Sequence, residues 1–302
     1  MLFEVTDRLY QTTTKIFRVV ECRACRLVRL DPWPSPEELS RYYPKSYWFD
    51  PGENASGKWI EAYRRFVLRD HVHFVWNSIR AAHETGLVLD VGCGGGLFLR
   101  MLRETGLPVL GLDALAPAAS VAWKSNGVPA VCADLLKAPL RRESCSAITM
   151  FHVLEHLYEP EEYLDRAREL LRPNGRLIVQ VPNVACWQFV LLGERWNGID
   201  VPRHLVDFRQ KDVEHLLHLC GFEVLTRKHF SLRDNPAGFA TSLAPGLDPM
   251  ARRIRGVAES PAHRTGKDLL YFGLVCLSLP VAMLEAACGA GSTIMIEARK
   301  RA

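Results

Sequence analysis

Residues 87 to 99, LVLDVGCGGGLFL, decide how this chain is read. An apolar run ends in the acid Asp90, enters a turn carrying Gly92, Gly94, Gly95 and Gly96, and returns to apolar residues at helical spacing. That order predicts a buried strand, a tight loop and the start of a helix, the place where open α/β sheets receive ligands. Glycine adopts positive φ cheaply and, lacking Cβ, lets backbone amides approach a ligand. The spacing is G-x-G-x-G, and position 97, where a dinucleotide fingerprint would carry its third glycine, is Leu97. An acid at the mouth repels a pyrophosphate and attracts a ligand that carries an ammonium and a sulfonium.

This stretch resembles the first motif of class I S-adenosylmethionine (SAM) dependent methyltransferases. The resemblance implies that Asp90, Gly92, Gly94 and Gly96 hold the methionine end of that cofactor. Working outward, Pro108 to Asp113 reads as a second buried strand ending in an acid, and Asp113 lies 21 residues beyond Gly92. At that spacing an α/β nucleotide site uses a carboxylate to accept ribose hydroxyls, although a strand-end Asp also serves as a helix cap. A third strand, Pro129 to Ala133, delivers Asp134, which by the resemblance accepts the adenine amine while Leu135 packs on the ring. The fourth strand, Ala147 to Phe151, runs into HVLEHL, where the resemblance sets His152 and Val153 at the methionine end. Glu155 and His156, as neighbours on a helix, would point about 100° apart and so would not share a metal. RPNGRLIVQVPN supplies a helix stop and a fifth strand, Phe222 to Phe230 a sixth, and STIMIEARK the last.

These features occur in the order found in the family, and the resemblance covers about residues 85 to 300. It implies an α/β, Rossmann-like seven-stranded sheet in the order 3-2-1-4-5-7-6, strand 7 antiparallel, flanked by helices. The domain is expected to span residues 51–302, behind a leader at 1–50.

In the leader, Cys22 and Cys25 form a C-x-x-C knuckle between two strand-like runs. Tetrahedral zinc needs four ligands, and a second pair normally supplies the other two; none lies nearby. The segment resembles the second half of a zinc-ribbon-like leader that precedes some bacterial SAM methyltransferases. Met1 falls where an upstream strand would already be under way, so the expectation is a truncated leader, a metal-free β-hairpin with half a zinc site. The aromatic cluster Tyr42, Tyr43, Tyr47, Trp48 and Phe49 reads as the contact between leader and core, or as acceptor-pocket wall. Lys58 to Thr85 has the spacing of an amphipathic helix, ended by Gly86.

Downstream, residues 183–208 form a long loop of the kind that usually binds substrate. Its PRHL tetrad resembles a Pro-x-His feature of the family, and His204 is the candidate base, since a neutral imidazole can take a proton near physiological pH. An insertion at 231–290 follows. Within it, Arg233 to Lys267 reads as an irregular excursion, and the uncharged run 269–284 as a buried crossover helix, with peripheral membrane contact as the second reading.

Composition sets the outer limits. The 302 residues are 48% hydrophobic, enough to fill a core, and the net charge of +4 is spread along the chain, so no nucleic-acid footprint is visible. Nine cysteines without a secretory N-terminus fit a reduced, cytoplasmic protein, with the inner membrane face as an extension of that expectation. The expected activity is SAM-dependent methyl transfer to a small-molecule acceptor, lipid- or sugar-linked, by in-line displacement at an oxygen. Sugar C-methylation and SAM binding without turnover are the alternatives; cofactor motifs report binding rather than chemistry.

Overall fold

The computed structural model describes residues 1–44 and 55–301. Tyr47, Trp48 and Phe49 of the expected aromatic cluster lie outside the described residues. The leader opens with three antiparallel strands, β1 (Phe3–Val5), β2 (Phe17–Glu21) and β3 (Val28–Asp31). A short helix, α1 (Pro36–Ser40), follows, capped by the Ser35 hydroxyl on the Glu38 amide. The long helix α2 (Ala55–Ala82) then buries Val72, Val75 and Ile79 against the main sheet.

That sheet begins with β4 (Leu87–Val91), which feeds α3 (Leu97–Arg103), β5 (Val109–Asp113), α4 (Ala116–Lys124) and β6 (Ala130–Cys132). It continues through β7 (Cys145–Phe151), α5 (Pro160–Leu170) and β8 (Leu171–Pro182). A short helix α6 (Trp187–Leu192) and a two-residue strand β9 (Val206–Asp207) occupy the expected acceptor loop. Then come α7 (Gln210–Leu219), β10 (Phe222–Lys228), α8 (Asn235–Leu243), α9 (Pro249–Ile254), α10 (Pro261–Ala287) and β11 (Thr293–Lys300).

The seven strands lie in the order β10-β11-β8-β7-β4-β5-β6, and β11 runs antiparallel to both its neighbours. Counted from β4 along the chain, this is the expected order 3-2-1-4-5-7-6. The central strands are buried on both faces, as parallel strands under helices must be: Leu89, Ile148 and Leu177 are fully enclosed. Each such side chain contributes roughly 1.5–3 kcal/mol by leaving water.

Three expectations are corrected. The leader is more than a hairpin, because β9 from the acceptor loop pairs with β3 and completes a four-stranded sheet. The segment 233–267 is not irregular: it holds α8, α9 and the first turns of α10, each beginning with a proline in its first turn, where proline loses no helical hydrogen bond. Finally, the run 269–284 is helical but not buried. Leu270, Leu277 and Leu284 face solvent, while Ser278, Ala282 and Glu285 face the protein.

Candidate active site

Sequence dictates the loop after β4 at two glycines in particular. Gly92 adopts φ +72°, and a Cβ there would meet Val153 Cγ2 at 2.7 Å; Gly96 adopts φ +77°, and a Cβ would meet Val128 and Ala122 at 2.7 and 2.8 Å. Side chains at either place would prise the loop off its neighbours. Gly94 also has positive φ. The amide hydrogens of Gly92 and Cys93 both donate to the Leu112 carbonyl, at 2.8 and 3.0 Å, which ties the loop to the end of β5.

Three acids stand at the carboxyl ends of adjacent parallel strands. Asp90 ends β4, is buried, and accepts the Thr149 hydroxyl proton at 2.6 Å. Burial, reinforced by the charge of Asp113, pushes its carboxyl up to about 7 despite that bond. Asp113 ends β5; its two oxygens accept the amides of Gly94 (3.0 Å) and Leu115 (2.9 Å), so it shapes the glycine loop itself. Burial raises its pKa against the pull of those amides. Asp134 follows β6 and accepts the Leu136 amide at 2.8 Å. Leu135 turns into the main core at 1% exposure, and the exposed apolar side chain of that loop is Leu136.

His152, directly after β7, is a non-glycine residue at φ +56°. It is held there because its amide donates to the Gln180 carbonyl at 2.8 Å and its ring is fixed at both nitrogens. Nδ1 donates to Glu155 Oε1 at 3.2 Å, while Nε2 lies 3.1 Å from the Gln180 amide and 3.6 Å from Asp234. Burial works against a charge on the ring, yet the Asp234 and Glu155 carboxylates prevail and raise its pKa to about 9. Val153 beside it is buried against Gly92.

Sequence reasoning missed the partners of this imidazole. Gln180 on β8 accepts from His71 Nε2 on α2 at 2.8 Å through its side-chain oxygen and donates to Asp234 at 2.7 Å through its amide nitrogen; Asp234 also accepts the Ser231 hydroxyl at 2.6 Å. His71 and Gln180 are fully buried. The one signal was a glutamine inside the apolar run LIVQV, since a buried strand carries a polar residue only with its hydrogen bonds satisfied.

His204 lies in a second cluster behind the first. It is buried, its Nδ1 sits 2.9 Å from the Gly198 carbonyl and 3.8 Å from Asp207, and its ring meets that of His156 edge-on at 4.7 Å. Burial opposes its charge, but Asp207, Glu155 and Asp200 raise its pKa. His156 goes the other way, pushed down to about 4 by burial and by His204; its Nδ1 donates to the Arg203 carbonyl at 2.9 Å. Glu155 and His156 sit on a 3-10 turn, Leu154–His156, rather than an α-helix. Donor atoms of Glu155, His156 and His204 therefore converge within 4.8 Å, contrary to the expected divergence, and Glu155 Oε2 is buried without a hydrogen-bond partner. These three side chains could hold a metal ion. Cys22 and Cys25 are free thiols, and among the described residues they join no such group.

Arg203, between Pro202 and His204, is fully buried and was not singled out from sequence. Its guanidinium donates to both oxygens of Asp7 at 3.0 Å and to both of Asp200 at 2.6 and 2.8 Å. One side chain thus clamps the leader to the acceptor loop. Tyr42 and Tyr43 pack into the same seam, with Phe17, Trp196 and Val201, so for these two tyrosines the leader–core contact is the role observed.

Comparisons with known proteins bear on the family and the fold. A family profile described as a methyltransferase domain matches residues 59–227. A ubiquinone biosynthesis O-methyltransferase from Rhodopseudomonas palustris (strain HaA2) is 27% identical over 233 residues, 72% of this chain and 92% of the relative. Among solved structures, a SAM dependent methyltransferase from Archaeoglobus fulgidus superposes with a TM-score of 0.50 at 15% identity, over 80% of this chain and 94% of its own. The 4+2 cyclase SpnF gives 0.52 at 20%, over 89% and 97%; at such identities both speak for the fold. With the profile covering more than half of the residues and the sheet order fulfilled, this chain belongs to the methyltransferase-domain family of class I, SAM-dependent enzymes.

Proposed function

We propose that the protein transfers a methyl group from SAM to an oxygen of a small organic acceptor. The observation that carries the reading is the alignment of Asp90, Asp113 and Asp134 at the carboxyl ends of three adjacent strands, beside a positive-φ glycine loop. The fit is chemical as well as positional. Two buried acids beside a glycine loop held by positive φ suit a ligand with a cationic end and a ribose diol. When bound, SAM supplies an electrophilic methyl carbon on its sulfonium. Asp113 would accept the ribose hydroxyls with the lone pairs its two amide bonds leave free, Asp134 the adenine amine, and Asp90 the ammonium, directly or through water.

The chain's own contribution to the chemistry is orientation and proton handling. His152, a quarter exposed at the edge of the cleft, is the group that would meet an acceptor hydroxyl. Its Nδ1 leads through Glu155 towards His204, the base candidate read from sequence, which occupies the inner end of that line. Oxygen as the acceptor atom is supported by the O-methyltransferase relative. Labelled-methyl transfer from SAM into fractionated cell extract, with the product identified by mass spectrometry, tests the reading. A labelled methyl ether or ester supports it; a new carbon–carbon bond assigns sugar-type C-methylation instead, and bound SAM with no labelled product assigns a binding protein.

A further inference from the structure

Helix α10 is amphipathic in the wrong sense for a helix packed on a soluble protein. Its inner face, at positions 271, 275, 278, 282 and 285, contains Tyr271, Ser278 and Glu285, and these polar groups are tied to the fold. The Tyr271 hydroxyl lies 2.8 Å from that of Thr241, Ser278 donates to its own helix, and buried Glu285 accepts the backbone and side-chain amides of Gln188 at 3.0 and 2.7 Å. The outer face is the apolar one. From Leu269 to Leu284 there is no charged residue, and Leu270, Leu277 and Leu284 are 65%, 75% and 60% exposed. Gln188 joins α6 to α10, and Val190 and Leu191 of α6 are themselves exposed. A contiguous exposed apolar patch marks an interaction site.

We propose that this surface, α10 with the edge of α6, seats the protein on a lipid bilayer bearing anionic headgroups. Two observations select lipid over another protein. The exposed side chains between Leu269 and Leu284 offer a partner no hydroxyl, amide or charge, whereas a protein interface carries about one hydrogen bond per 100–200 Å²; acyl chains require none. The N-terminal approach to the apolar run, Pro249 to Asp268, carries five Arg and Lys residues against two carboxylates; Glu259 and Asp268 hold buried Arg252, and Glu259 also Lys267, in ion pairs, the net charge stays positive, and Arg264 is exposed. A basic stretch beside an apolar helix is the charge pattern attracted to anionic leaflets.

The bonds of Tyr271 and Glu285 also fix the geometry. By length and composition α10 could cross a membrane, but a helix of 27 residues, about 40 Å long, that is anchored to the domain near both ends of its apolar run lies in the plane of the interface. Its outer residues then reach roughly 5–10 Å into the headgroup and acyl boundary.

The test is flotation of the purified full chain with vesicles of phosphatidylcholine alone and of phosphatidylcholine mixed with phosphatidylglycerol, alongside light scattering for oligomeric state. The wild type is expected to float with the mixed vesicles and less with the zwitterionic ones. The double variant Leu277→Asp, Leu284→Asp, altered only at exposed positions, should lose roughly a hundredfold in partitioning with unchanged melting, and Arg264→Glu should lose only the preference for anionic lipid. Wild-type protein that floats with neither vesicle, or a double variant that floats as well as wild type, overturns the proposal. So does self-association that the double variant abolishes without any flotation, which assigns the face to a second copy of the chain.

Discussion

Replacing Asp90 by Asn should have opposite effects on the unliganded protein and on cofactor binding. The Asp90 carboxyl is buried and raised from 3.8 to about 7, so between those values the folded state holds a proton that the unfolded state has released. The Asp90 contribution to stability must then fall as pH rises through this window, and its penalty is complete above about pH 7. With ~1.4 kcal/mol for each tenfold in proton affinity, the ionised carboxylate costs the unliganded fold ~4 kcal/mol. Asn is uncharged, and its carbonyl oxygen can still accept the Thr149 hydroxyl. At about pH 8 the variant should therefore melt higher than wild type, by roughly 6 °C, since ~2.1 cal/mol/K of unfolding entropy per residue over 302 residues gives about 1.6 °C per kcal/mol; near pH 4 the two should nearly coincide. SAM affinity should move the other way and drop at least about tenfold, because a carboxylate facing the cofactor's ammonium is gone. Scanning calorimetry across pH and titration calorimetry with SAM read both effects. An Asn variant whose gain in melting temperature over wild type does not grow between about pH 4 and pH 7, or one that binds SAM as wild type does, refutes the assignment.

Asp113→Ala should lose SAM binding more completely, since it removes the ribose acceptor and also frees the Gly94 and Leu115 amides; calorimetry showing wild-type affinity would contradict the role. His152 is raised to about 9 by Asp234 and Glu155 against the effect of burial. Turnover that needs its neutral form should thus climb with pH up to about 9 and, in Asp234→Asn, shift its midpoint to lower pH; a midpoint that stays put means His152 is not the titrating group. Arg203→Met leaves Asp7 and Asp200 facing each other unpaired, and breaking such a buried pair costs about 3–5 kcal/mol. Chemical unfolding should register that loss, and Arg203→Lys should not restore it, because lysine lacks the two-pronged geometry; a fully stable lysine variant would count against the clamp.

The main sheet was legible because parallel strands buried on both faces read as unbroken apolar runs, and because each of β4, β5 and β6 is followed closely by, or ends in, an acid. What escaped has identifiable physical causes. β9 is two residues long and has no period to detect; only its pairing with β3 makes it a strand. The starts of α8, α9 and α10 were mistaken for loop because Pro236, Pro249 and Pro261 look like breakers, although Asp248 and Ser260 stand ahead of the last two as caps. An apolar run reads as buried because apolar residues normally face inward, and α10 turns Leu270, Leu277 and Leu284 out. In the candidate site, the acids announced themselves through spacing. Gln180, His71, Asp234 and Arg203 did not, for they come from four separate segments and acquire meaning only when the fold brings them together.

The β3–β9 pairing also ties the leader to the energetics of the loop at 183–208. Leader and loop share one sheet and one buried guanidinium, so their ordering is a single cooperative event, and coupling of this kind is reciprocal. Whatever tightens residues 196–207 tightens the leader by the same factor, and whatever grips the exposed outer side of the leader is felt at the loop. The N-terminal sheet is in this sense a handle on residues 196–207, able to tune their order from a distance.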